Sequence, residues 1–168
     1  MRMMSKSGPL DGKTEAIALL TSMQSSLSEW LVMPPTLEHY PVPCRLWREQ
    51  LHVVAGRSRS AGLHAHSSLS LRIGEQLEPL FRSNDLPRWA VELLLRWSQV
   101  SLRYLRHTAD FRHAAELVGL LSMSRSLDYY GAEERACLLR NLIDDHQSDA
   151  QHSARQTAAP GSRCAGTP

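Results

Sequence analysis

The sequence predicts an all-α protein: an antiparallel helical bundle with a four-helix-bundle-like core, an extra helical segment and disordered termini. Apolar residues recur every three or four positions in several long segments, which is the period of an α-helix. Prolines and polar turns separate these segments, and none shows the alternation of a strand. With 168 residues, 42% of them hydrophobic and 21% charged, the chain is long enough for one domain with its own core.

The first thirteen positions, residues 1–13, are polar and contain glycine and proline, so we expect a flexible leader. The helical bundle domain is expected over residues 14–145. Thr14 is the candidate N-cap of its first helix, and Pro34-Pro35 end that helix because proline lacks a backbone donor. The apolar stripe of this helix consists of Ile17, Leu20, Met23, Leu27, Trp30 and Leu31.

A second helix is expected from Cys44. Its inward stripe comprises Trp47, Leu51, Val54, Ser58, Ala61, Ala65 and Leu69. Because the spacing of three or four residues continues throughout, we predict that this helix passes through Gly56 and Gly62 without a break. A weaker continuation, with Gly74 as a soft point, leads to a turn at Ser83-Asn84-Asp85.

Two more helical segments and a tail follow. Pro87 stands where a first helical turn tolerates proline. The stripe after it is Leu86, Ala90, Leu93, Trp97, Val100, Tyr104 and His107. Asp110 is the candidate cap of a further segment, and a last helix is expected over residues 132–143. Residues 146–168 have almost nothing to bury, so we predict a disordered tail there.

Composition excludes several function classes. The formal net charge of +2 is too small to indicate nucleic-acid binding. Lys6 and Lys13 are the only lysines among the 19 basic residues, and this arginine bias is typical of a high-GC, bacterial genome. The cysteines Cys44, Cys137 and Cys164 form no CxxC pair, so neither a zinc site nor a disulfide framework is indicated. No segment is long enough to span a bilayer, so we expect no membrane association and a cytoplasmic location.

The candidate functional residue is His52. At about 100° per residue, His52, Ala55, Gly56, Arg59 and Leu63 share a helix face away from the core stripe. An unprotonated imidazole nitrogen is a good phosphoryl acceptor near neutral pH. Transfer from a partner needs near in-line approach, and the small Gly56 leaves room for it.

Two arginines, Arg57 and Arg59, are candidate supporting groups. Their guanidinium groups are able to stabilise phosphoryl oxygens through charge-assisted hydrogen bonds. Together with Arg45, Arg48 and Arg72 they predict a basic surface over the histidine helix. Such a surface is ordinarily a solvated face; docking of an acidic receiver cleft and nucleic-acid contact are the second and third interpretations.

The run from His52 to Gly62 resembles the signature of histidine phosphotransfer (HPt) domains. That signature is His-x-Leu-Lys-Gly, then small residues, then a second glycine ten positions after the histidine. Here Val54 occupies the hydrophobic place and Gly56 and Gly62 are in register, with Ser58 and Ser60 as the small residues. The helix beyond is similar to the family's following helix, in which Ser70 and Ile73 fit.

The resemblance implies a helical bundle without catalytic machinery of its own, which relays phosphate between receiver-domain aspartates of two-component pathways. It makes His52 the phosphorylation site, and a response-regulator receiver domain or hybrid kinase the partner. Four positions depart from the pattern: Ala55 where lysine is most common, Arg57 for a small residue, His66 at a usually aliphatic position and Gly74 for an acid.

Two alternatives remain open from the sequence. In the first, residues 55–62 are a flexible loop between helices and His52 is an incidental surface residue. In the second, the chain is a non-catalytic helical adaptor, chaperone or regulator, for example in a bacterial secretion or regulatory complex. The helices after Leu86 and the absence of other chemistry favour this second alternative.

Other chemistry finds no support in the sequence. The Gly56–Gly62 run lacks the Lys-Ser/Thr of a phosphate-binding loop, so no nucleotide cofactor is expected. His64 and His66 are two apart and do not face the same way on a helix, so no metal site is expected. No serine or cysteine has the context of a catalytic nucleophile, which argues against stand-alone enzymatic activity.

Overall fold

The computed structural model describes residues 11–32, 43–84, 86–123 and 131–157. Within these ranges the chain forms six α-helices and no strand, which confirms the predicted antiparallel all-α fold. The helices are α1 (Gly12–Val32), α2 (Cys44–Ser60), α3 (His64–Ser83), α4 (Arg88–Arg106), α5 (Phe111–Met123) and α6 (Ala132–Thr157).

The main contacts between helices close a ring in the order α1, α2, α3, α6, α5, α4. Each contacting pair joins an odd-numbered to an even-numbered helix, so every pair is antiparallel. Helices α1 to α4 form the four-helix part, and α5 and α6 fill the side between α3 and α4. The extra helical segment predicted from the sequence is therefore part of the same bundle.

The inward stripe predicted for the second helix is buried throughout. In the stripe predicted for α1, Leu20, Met23 and Leu27 are buried, and Ile17, Trp30 and Leu31 are half-buried. The largest fully buried side chains include Leu20, Met23, Leu27, Trp47, Leu51, Leu63, Ile73, Leu77, Leu94, Trp97, Tyr104 and Leu105. Trp47 joins α1 to α2: its ring packs edge-on against Trp30 with centroids 6.3 Å apart, and its Nε1 donates to Ser26 Oγ at 3.1 Å. Trp89 is 44% exposed and lies outside the core.

The first helix begins earlier than predicted, at Gly12 instead of after Thr14. Asp11 begins it: its carbonyl oxygen accepts from Glu15 N at 3.1 Å, and its carboxylate accepts from Lys13 N at 3.4 Å. A carboxylate at this position satisfies free amides and complements the helix dipole. The rest of the predicted flexible leader, residues 1–10, lies outside the described residues.

The prediction of one uninterrupted helix from α2 into α3 is wrong at residues 61–63. Gly62 has φ of 81°, in the left-handed region that favours glycine. The amides of Gly62 and Leu63 donate to the carbonyls of Arg59 at 3.0 Å and Ser58 at 2.9 Å, which is a Schellman motif. The apolar spacing continues across this turn because both helices bury the same side of the hairpin, and so periodicity alone does not reveal the break.

The last helix is longer than predicted. The sequence placed its end near Ile143 and a disordered tail from residue 146, whereas α6 continues to Thr157. Between Ala132 and Thr157 there is no glycine or proline, so nothing in the segment breaks a helix although little of it is apolar. The prediction is therefore wrong over residues 146–157, and residues 158–168 lie outside the described residues.

Candidate functional site

His52 lies on the solvent-facing side of α2, as the helical periodicity predicted. Five exposed residues fall within one narrow sector of this helix, and we call them the His52 strip: Arg45, Glu49, His52, Gly56 and Arg59. Two residues that the sequence assigned to the same face are buried: Ala55 on α2, and Leu63, which lies beyond the turn at the N-cap of α3. The strip is therefore narrower than predicted, with the imidazole near its middle.

Gly56 leaves unoccupied space beside the imidazole of His52. A Cβ built at Gly56 meets no atom within 4 Å apart from its own helix and chain neighbours. Side chains on a helix lean towards its N-terminus, so a side chain at position 56 would lie over the turn that carries His52. Gly56 costs about 1 kcal/mol of helix stability relative to alanine, and no close packing accounts for its presence.

The two candidate supporting arginines have different surroundings. Arg57 points towards α1, where its Nε lies 2.5 Å from Glu15 Oε2. Arg59 lies on the His52 strip, is exposed, and forms no ion pair with any residue that the structure describes. Only Arg59 is therefore both on the face of His52 and available to an incoming anion.

The N-terminal half of the strip carries paired charges. Arg45 Nε lies 2.9 Å from Glu49 Oε1 along α2. Beside the strip, Arg48 Nε lies 2.7 Å from Glu78 Oε2 on α3, and Arg82 pairs with the other Glu78 oxygen at 2.8 Å. The hydrogen bond from Arg82 and the charge of Arg48 lower the pKa of Glu78. The predicted basic surface is thus largely neutralised on this side of His52.

The C-terminal end of α2 is fixed by close packing against α1. A Cβ at Gly12 would collide with Ser60 Oγ and lie 2.7 Å from the Arg57 carbonyl oxygen. Ser60 Oγ donates to the same carbonyl at 2.9 Å. Together with the Arg57–Glu15 pair, this contact holds the last turn of α2 in place.

A second histidine, His66 at the start of α3, is fully buried. Its Nδ1 lies 2.9 Å from Ser58 Oγ on α2, while Nε2 is buried with no hydrogen-bond partner in the structure. The ring stacks with Trp97 and Tyr104 on α4, at centroid distances of 6.3 and 5.6 Å. Burial lowers its pKa to about 4, so it is neutral at physiological pH.

Asp145 on α6 is a residue that the sequence did not indicate. Its two carboxylate oxygens accept from the backbone amides of Ala65 and His66, each at 3.1 Å. These amides belong to the first turn of α3, where Leu63 at the N-cap position offers no side-chain cap. Burial raises the pKa of Asp145, and the backbone hydrogen bonds act against that rise.

Metal and membrane chemistry find no structural support within the described part of the chain. There, no group of three His, Cys, Asp or Glu side chains is arranged to hold a metal ion. Among the helices that the structure describes, none combines the length and apolar character required to cross a bilayer.

Comparison of the chain with protein-family models, with curated proteins and with solved structures gives no match. The site must therefore be judged on its geometry. The structure brings together His52, Gly56 and Arg59, and it assigns Arg57 to the contact between α1 and α2.

Proposed function

We propose that this chain is a cytoplasmic phosphorelay protein, in which His52 carries a phosphoryl group between receiver-domain aspartates of a bacterial two-component pathway. The observation that carries the proposal is the exposure of His52 on a helix face that Gly56 leaves open. Phosphoryl transfer depends on positioning and on stabilising charge, so such a protein needs little beyond an accessible, firmly held nucleophile.

The chemistry assigned to His52 is one displacement. An unprotonated imidazole nitrogen attacks the phosphorus of an aspartyl phosphate, the P–N bond forms as the P–O bond breaks, and the aspartate leaves as a carboxylate. Phosphate then passes to a second aspartate by the reverse exchange. The receiver supplies the rest of the machinery, because this proposal assigns only His52 and Arg59 of the His52 strip to the transfer.

Arg59 is the residue assigned to the phosphoryl oxygens. Position 59 is three residues after Gly56 on the same strip, and helical side chains lean towards the N-terminus, so the space over Gly56 is within reach of its guanidinium. Its guanidinium has no competing partner among the described residues, and arginine binds phosphate oxygens through two parallel hydrogen bonds. Arg57 has no such role in this proposal, since Glu15 already binds it.

The test is transfer from a phosphorylated receiver domain to the chain, measured as acid-labile phosphohistidine. We expect the natural chain to be labelled and His52→Ala to be unlabelled. His107→Ala, which removes another exposed imidazole, is the matched control and should be labelled normally. Labelling of His52→Ala at the level of the natural chain, across a panel of receivers, would refute the proposal.

A second candidate function is a non-catalytic adaptor or regulator that binds a protein partner. It is favoured by two exposed apolar side chains on α2, Leu46 at 47% and Val53 at 44% exposure, which lie two turns apart on one side of the helix. Co-purification with a stoichiometric partner that survives His52→Ala but is lost in Val53→Arg would support this function over phosphotransfer.

A further inference from the structure

Over residues 132–145, the last helix is attached to the bundle by a small buried surface. Of the α6 side chains between 132 and 145, only Leu142 and Asp145 are buried, while Leu138, Leu139 and Ile143 are half-buried. The main contacts of α6 are with α3 and α5 alone. By contrast, α4 buries ten residues along its length. The apolar contribution of residues 132–145 of α6 is therefore small beside that of α4.

Three hydrogen bonds fix α6 near its middle. The Asp145 carboxylate accepts from the amides of Ala65 and His66 at 3.1 Å, and the Leu142 carbonyl accepts from the Tyr104 hydroxyl at 2.8 Å. Asp145 is the only buried charged side chain that the structure describes. A carboxylate on the first turn of a helix is stabilised by free amides and by the helix dipole.

These contacts all converge on the surroundings of His66. Asp145 binds the His66 backbone amide, and Tyr104, which binds Leu142, stacks on the His66 ring. Loss of α6 would free the first-turn amides of α3 and the hydroxyl of Tyr104 together. The stripes of α1, α2 and α4 would stay covered by one another.

We propose that α6 is a latch, which leaves the bundle as one unit while α1 to α5 stay folded. The hydrogen bonds from the first turn of α3 to the Asp145 carboxylate hold it closed. Opening exposes the first turn of α3 and frees the Tyr104 hydroxyl. The latch does not depend on whether His52 is phosphorylated, because none of its contacts involves the His52 strip.

The test is native-state hydrogen exchange of the full chain, followed residue by residue. In the natural chain we expect the amides of residues 132–145 to exchange faster than those of α1 and α2. Asp145→Ala should raise exchange of these amides, and of Ala65 and His66, by about 10- to 100-fold, as expected for lost hydrogen bonds to a charged group. Asp144→Ala, the exposed neighbour, is the matched control and should have an effect of about twofold or less.

A second readout separates the latch from a cap that only adds stability. In low concentrations of denaturant, exchange of the amides of residues 132–145 should depend less on denaturant than exchange of the α1 and α2 amides, because opening the latch exposes less surface than global unfolding; for a cap that only adds stability the two dependences would be the same. Three results would overturn the latch: equal exchange rates for α6, α1 and α2 in the natural chain, an Asp145→Ala effect no larger than that of Asp144→Ala, or an Asp145→Ala chain unfolded throughout.

Discussion

His52 and His66 lie on the two arms of one helical hairpin and have opposite surroundings. The ring of His52 faces solvent beside an empty position at Gly56, whereas His66 is fully buried between Ser58, Trp97 and Tyr104. The same side chain is available for chemistry in one place and is part of the core in the other. The difference comes from helix phase, because His66 lies on the buried face of α3 with Ser70 and Ile73, whereas His52 lies on the exposed face of α2.

The comparison also shows how the hairpin supports an exposed nucleophile. Close packing at the far end of α2, through Gly12, Ser60 and the His66–Ser58 contact, holds the helix still. On the outer face of α2, Gly56 leaves the space beside His52 without a side chain. A relay protein needs both properties, since a mobile histidine would lose the orientation on which transfer depends.

The largest expected effect concerns the buried histidine and pH. Because its folded-state pKa of about 4 lies below the ordinary 6.5, the unfolded chain binds a proton first as pH falls. His66 should therefore lower the free energy of unfolding by about 2.5 kcal/mol between pH 7 and pH 4.5. Among the described side chains, no charged group contacts its ring: the neighbours are Ser58, Trp97 and Tyr104, and Asp145 binds only the backbone amide.

Denaturant titrations at several pH values measure this loss. His66→Leu removes the titrating group at the same site and should flatten the pH dependence over this range, whatever its effect on stability at pH 7. Asp145, whose pKa is raised, contributes stability that grows as pH falls and so opposes the trend. An unchanged slope in His66→Leu would contradict the assignment.

The next effect concerns the packed end of α2. Gly12→Ala places a methyl group against Ser60 and the Arg57 carbonyl, and should lower the free energy of unfolding by about 2 kcal/mol. Gly119→Ala is the control, because a Cβ there meets nothing within 4 Å, and it should not destabilise the chain. Chemical denaturation of the two variants side by side measures the difference.

The third prediction has a smaller expected effect and compares two helical glycines, Gly56 and Gly119, that have free space around them. Gly56→Ala and Gly119→Ala should each raise the free energy of unfolding by up to about 1 kcal/mol, because both glycines are in helices with open space. Only Gly56→Ala should slow phosphotransfer, on the order of tenfold, since it alone adds bulk beside His52. Equal transfer rates in the two variants would remove the functional reason for Gly56.

The smallest expected effects on stability and phosphotransfer distinguish the roles of Arg57 and Arg59. Arg57→Ala should cost about 0.5 kcal/mol of stability, as is usual for a solvent-exposed ion pair, and leave phosphotransfer unchanged. Arg59→Ala should leave stability unchanged and slow phosphotransfer several-fold, through loss of a charge-assisted hydrogen bond. The reverse pattern would return the supporting role to Arg57.

Much of this hairpin follows from the sequence, because side-chain periodicity reports helix phase directly. The burial of Trp47, Leu51 and Val54 and the exposure of His52 were predicted in this way and are confirmed. The turn at Gly62 was missed because the stripe stays in phase across it. That glycine, standing after a helical run and before an apolar residue, was the available signal.

Contacts between distant segments are the part that periodicity cannot supply. Asp145 binds the start of α3 from a distant part of the chain. Nothing in the sequence distinguishes it from the neighbouring Asp144, so this contact is not predictable from the sequence. The partner of Arg57 was likewise unpredictable, because Glu15 lies on another helix. Apolar spacing alone predicts too short an α6, because its C-terminal part has few apolar residues. The absence of glycine and proline from Ala132 to Thr157 is the signal for its full length.

The most direct test of the central claim is a pulse and chase of phosphate through His52. The chain is labelled from one phosphorylated receiver domain, separated, mapped by peptide mass spectrometry, and then mixed with a fresh receiver. We expect the label on the peptide containing His52 and then, as an aspartyl phosphate, on the second receiver. A label on another residue, or one that no receiver in the panel can remove, would contradict the account.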